Sequence, residues 1–89
     1  MQRTMVERRL NDAHKRLVRA RNELAVLDEQ LLVVNEMADD TRLRALVAET
    51  PIASKEHDEM SRHREVMLQT RKTLVDRIAA RQAGNRRFH

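Results

Sequence analysis

Residues 6–38 read VERRLNDAHKRLVRARNELAVLDEQLLVVNEMA, and apolar or small residues fall at 6, 10, 13, 17, 20, 24, 27, 31, 34 and 38. Steps of four and three residues alternate across this stretch without a slip. With Leu10, Leu17, Leu24, Leu31 and Ala38 at position a of a heptad, Val6, Ala13, Ala20, Leu27 and Val34 take position d. This is the seam of a coiled coil, so the stretch predicts a long helix whose working surface is another helix.

The seam has two different halves. Up to Arg21 the apolar stripe is narrow and Ala13 and Ala20 leave shallow notches, whereas beyond Leu24 the added Ala25, Val26, Leu32 and Val33 carry it round most of the circumference. A helix that is apolar nearly all round is covered by more than one neighbour. Upstream, Thr4 is the best N-cap, with Glu7 three residues on. Downstream, Asp39, Asp40 and Thr41 would suit the cap of a short new helix carrying Leu43, Leu46 and Val47, but with no glycine there continuity is the reading adopted. Pro51 pushes its predecessor out of the helical region and ends helix 1 near residue 49.

A second helix is expected over about 55–82, after a turn at 50–54 with Ser54 as N-cap and acids in its first turns. Thr50 as cap with Pro51 at the first helical position is the alternative start. Its stripe, Met60, His63, Met67, Thr70, Leu74 and Ile78, is wetter than that of helix 1, and Gly84 followed by Asn85 reads as a stop. The expected organisation is one helical hairpin domain, residues 1–83, and a flexible basic tail, residues 84–89.

Composition agrees. One glycine, one proline, one aromatic residue and 36% charge describe solvated helices rather than strands and turns, so the fold class is all-α. No cysteine is present, which excludes disulfides and thiolate metal sites and fits a reducing cytoplasm. No apolar run reaches the ~18 residues of a membrane span. An 89-residue chain buries little surface by itself, so oligomerisation or a partner is expected to complete the core.

A five-residue turn makes the two helices antiparallel, with facing residues summing to about 104. Met67 would then face Met37, Thr70 face Val34, Leu74 face Leu31 and Ile78 face Leu27. Charge points the same way: residues 1–23 carry a net +4, residues 24–59 a net −6 and residues 60–89 a net +6. Arg64, Arg71, Lys72 and Arg77 are thereby drawn to Asp28, Glu29, Glu36, Asp39 and Asp40. Helix 2 would run out opposite Asn22 and leave about the first twenty residues of helix 1 overhanging.

That overhang is the expected partner-binding element, through the stripe Val6, Leu10, Ala13, Leu17 and Ala20 flanked by Arg9, Arg16 and Arg21. The function expected is that of a non-enzymatic adaptor or assembly subunit holding an acidic helix or a second copy. Arg8, Lys15 and Arg19 are candidates for phosphate contact, the basis of an alternative function as a nucleic-acid or nucleoprotein-machine accessory. No aromatic interleaves these basic residues, and no base-reading motif accompanies them. In its charge layout, acidic near the turn and basic at the base, the hairpin resembles the coiled coil that transcript-cleavage factors insert into RNA polymerase. That likeness implies an accessory role and matches no motif residue by residue.

Glu56, Glu59 and His63 share a helical face with metal-ligand spacing, but nothing completes a coordination shell, so His63 reads as a polar seam residue. Met37, Met60 and Met67 converge as core filling. No nucleophile, acid–base pair or phosphate loop is spaced for catalysis. No enzyme activity, cofactor, metal or small-molecule substrate is expected.

Overall fold

The computed structural model describes residues 2–87, with side chains from Thr4 to Gly84, as two helices in antiparallel contact: α1, Gln2–Ala48, and α2, Pro51–Arg87. The all-α hairpin expected from the heptads is the fold. Helix α1 runs unbroken through residues 38–41. Thr41 occupies a d position and is buried, and its hydroxyl donates to the Ala38 carbonyl at 2.9 Å, so the polar group that looked like a cap is satisfied inside the helix.

The turn is shorter than expected. Glu49 adopts the left-handed region, φ 50°, and its N–H donates to the Ala45 carbonyl at 3.1 Å, which closes α1 with a one-bond left-handed cap usually built on glycine. Thr50 then caps α2: its hydroxyl oxygen accepts from the Ala53 N–H at 3.2 Å, and its carbonyl accepts from the Ser54 N–H at 3.1 Å. Pro51, lacking an N–H and fixed near helical φ, takes the first helical position, so α2 begins at Pro51 and not near 55. Gly84 does not stop it either. Its φ is not positive, and the helix continues to Arg87. Residues 84–87 of the expected tail are therefore helical, while Phe88 and His89 lie outside the described residues.

These boundaries reset the register. One core cluster joins Leu17 and Ala20 to Leu74 and Ile78, with Leu24 and Leu27 packed against it. The other joins Leu31 and Val34 to Met67, with Leu27 and Met60 packed against it. Facing residues thus sum to about 98, not 104, because the two-residue turn removes the slack of a five-residue one. Met67 faces Leu31 and Val34 instead of Met37. Leu74 and Ile78 move toward the N-terminus of α1, to Leu17, Ala20 and Leu24. Helix α2 consequently reaches to about residue 11 of α1, and the overhang is half as long as expected.

The core is thin. Even its best covered residues keep some exposure, Ala20 at 3% and Leu17 at 6%. The hairpin measures 69 × 16 × 15 Å with a radius of gyration of 20.0 Å, where a compact domain of this length would have about 12 Å. A rod of two helices leaves each helix with one face against its neighbour and the remainder uncovered.

Candidate interaction surface

The uncovered face that differs most from ordinary solvated surface is a groove along one side of the hairpin. On α1 it is lined by residues 16, 19, 23, 26, 30, 33, 37, 40 and 44, a second unbroken alternation of three- and four-residue steps set beside the core seam. On α2 it is lined by residues of the line 56, 59, 63, 70 and 77, with Met60, Met67, Leu74 and Arg81 at its floor.

The groove changes character along its length. At the base Arg16, Arg19, Arg77 and Arg81 converge from both helices around Ala20 and Glu23. Arg81 donates to the Arg16 backbone carbonyl at 3.0 Å, which ties the end of α2 to α1. The middle is apolar, with Val26 and Val33 more than half exposed at 53% and 56%, Leu27, Met67 and Leu74 beneath them, and Gln30 and Thr70 as its polar members. Toward the turn, Asp40, Glu56 and Glu59 surround Met37 and Met60, with Arg44 pairing to Asp40 at 3.3 Å and Lys55 to Glu59 at 3.9 Å.

The opposite side of the interface is closed by charge. Arg71 Nε donates to Asp28 Oδ1 at 2.6 Å, the single ion pair between helices among those that the described residues place. The hydrogen bond to Asp28, together with the Asp28 charge, raises the Arg71 pKa above its already high ordinary value, so the guanidinium stays charged at any pH the fold experiences. Of the electrostatic attractions expected between the helices, this one is formed. Arg77 instead joins the arginine cluster at the base of the groove.

The residues expected to hold a partner divide. Val6 and Leu10 are exposed, at 53% and 37%, Ala13 is half-buried, and Arg9, Arg16 and Arg21 are exposed. Leu17 and Ala20 are not available, because the longer α2 covers them with Leu74 and Ile78. The phosphate-contact candidates Arg8, Lys15 and Arg19 are exposed, and Arg19 lines the groove. His63 is exposed on the groove face rather than in the seam, and the half-buried histidine is His57, whose Nδ1 is buried with no hydrogen-bond partner among the described residues. Met60 and Met67 share a core cluster, while Met37 is 47% exposed in the groove. Glu56, Glu59 and His63 line one groove segment, but among the described residues no three acidic or histidine side chains are gathered closely enough to hold a metal ion.

Sequence reasoning missed the groove. Its signal is present, since Val26, Val33 and Met37 lie seven and four residues apart on one line beside the main seam, but a helix that is apolar round most of its circumference reads as covered on every side. A second apolar patch at the turn, Leu43, Leu46, Val47 and Ile52, is exposed at 59% to 85%. No helix of the described chain is long and apolar enough to cross a membrane. No protein-family model, curated protein or solved structure matches the chain.

Proposed function

We propose that the chain is a non-enzymatic, cytoplasmic coiled-coil interaction protein, an adaptor or assembly subunit that works by laying its hairpin against helices of another polypeptide. The observation that carries this reading is the second stripe of α1, where Val26, Val33 and Met37 are each about half exposed at helical spacing over an apolar groove floor. The rod shape supports it. The chain exposes 7564 Å², against roughly 5,400 Å² for a compact monomer of its mass, and the excess is the kind of surface an assembly covers.

The test is the size of the particle that holds the chain in extract of its native host. The wild type should migrate well above the hairpin alone, and Val26→Gln with Val33→Gln should return it toward hairpin size. Migration of both at the size of the isolated hairpin would refute the reading.

The convergence of Arg16, Arg19, Arg77 and Arg81 favours one second reading, contact with nucleic-acid phosphates at the base of the groove. Retention on a DNA or RNA duplex that falls steeply between low and physiological salt, and that is lost on reversing Arg19 and Arg77, would support it.

A further inference from the structure

We propose that the groove face binds a second copy of the chain turned end for end, giving an antiparallel four-helix bundle of two hairpins. This rests on the interaction reading above and narrows it to one occupant.

The argument is the symmetry of the face. The α1 line that borders the groove runs from Arg16 to Arg44 and has Gln30 at its midpoint. The α2 residues that line the groove, border and floor together, run from Glu56 to Arg81 and have their midpoint between Leu68 and Gln69. In the hairpin's register of about 98 these two midpoints face each other, so a single two-fold axis lying in the face, across the helices, passes through both.

Rotation about that axis sets the arginine base of one copy on the acidic end of the other, the like-charged exception being Arg16 on Arg44, which pairs with Asp40 of its own chain at 3.3 Å. Arg19 meets Asp40 of the second copy on α1, and on α2 Glu56 meets Arg81 and Glu59 meets Arg77. Val26 meets Val33, Met67 meets Thr70, and the apolar middle covers itself. Gln30 meets its own image, and a neutral amide, which both donates and accepts, is a side chain able to hydrogen-bond to its own copy. An isologous pairing of this kind closes at two and leaves no repeating contact. Rotation about the long axis would place arginines on arginines and carboxylates on carboxylates, so the charges choose the antiparallel arrangement.

The area suffices. With the hairpin 69 Å long and 16 Å wide, the central part of one face offers on the order of the ~800 Å² per partner that a stable interface buries. The opposite face differs in being bridged at its middle by Arg71 and Asp28.

The experiment starts with sedimentation equilibrium of the purified full chain, which should give twice the 10.5 kDa of one copy. Val26→Gln with Val33→Gln should give a monomer of unchanged helicity, since both side chains are exposed in the hairpin and glutamine is a good helix former. A charge exchange then tests the orientation. Arg19→Glu with Arg77→Glu makes both ends acidic, and Asp40→Lys with Glu59→Lys makes both ends basic. Each double variant alone should associate at least tenfold more weakly than the wild type, and an equimolar mixture should recover the doubled mass. Because the chain has no cysteine, Gln30→Cys should link to itself through a short bis-maleimide. Glu23→Cys should not, but should link to Met37→Cys in a mixture.

A wild-type chain that stays monomeric overturns the proposal, whether or not it is retained by a nucleic-acid duplex. So does a dimer indifferent to Val26→Gln with Val33→Gln, which uses another face, and so does a dimer in which Glu23→Cys links to itself, which is parallel. The interaction reading is judged separately: a monomer that still runs in a large particle in host extract, and loses it with the two glutamines, defeats the second copy and leaves the partner.

Discussion

The guanidinium of Arg81 hydrogen-bonds the backbone carbonyl of Arg16 at 3.0 Å, which places the last turns of α2 beside a part of α1 that the heptad pattern alone left open. The next residue of α1, Leu17, is buried to 6% exposure against Leu74 and Ile78. Leu10, in the same heptad position one repeat earlier, is 37% exposed. Identical residues at equivalent positions therefore carry different loads. Leu17→Ala should destabilise the hairpin by about 2 to 3 kcal/mol, the cost of emptying a covered core site. Leu10→Ala should cost less than about 1 kcal/mol, as for a surface change. Urea unfolding followed by circular dichroism at fixed protein concentration checks both, and equally small losses would mean that α2 does not reach Leu17.

The turn is a second place where one atom decides the geometry. Glu49 at φ 50° adopts a conformation that its Cβ opposes, and a left-handed non-glycine residue costs about 1 to 2 kcal/mol. Glu49→Gly removes that cost while adding freedom to the unfolded chain, so the net gain should be about 0.5 to 1 kcal/mol. Thr50→Ala should lose about 1 kcal/mol, because the Ala53 N–H is left without its capping oxygen. The two changes should move the thermal midpoint in opposite directions by several degrees each. A Glu49→Gly variant that melts lower than the wild type would show that the residue is not left-handed in solution.

Much of this molecule was legible because periodicity is a direct image of burial. The long helix, the antiparallel partner and the uninterrupted stretch at Thr41 follow from heptads and from the absence of breakers. What sequence left open was anything fixed by a single bond. Thr50 and Ser54 are both good caps, and the choice between them shifts the register by about six residues. Once that choice goes to Thr50, Leu17 and Ala20 pass from partner surface to core, and Val26 and Val33 pass from core to groove. The register could not be set by charge, because the exposed pairs that suggested it are individually weak, about 0 to 1 kcal/mol each. Asp28 with Arg71 is compatible with the observed pairing, and other combinations would have satisfied a different one.

Gly84 offers the sharpest separation between the two readings of where α2 ends. As a helix stop it would take the left-handed conformation, and a side chain there would be strained. In the structure its φ is not positive, it lies inside α2, and a Cβ built on it meets nothing within 4 Å. Gly84→Ala should therefore add stability, because alanine restricts the unfolded chain and carries no steric cost in a helix. The position lies in the last turns, where fraying reduces the benefit, so the expected gain is about 0.5 kcal/mol rather than the full ~1 kcal/mol of a mid-helix site. Amide exchange should slow at residues 81–87 in the same variant, because the helix that covers the base of the groove opens less often. A loss of stability on Gly84→Ala would restore the stop, shorten α2 to about residue 82, and return the stretch of α1 around the half-buried Ala13 to solvent.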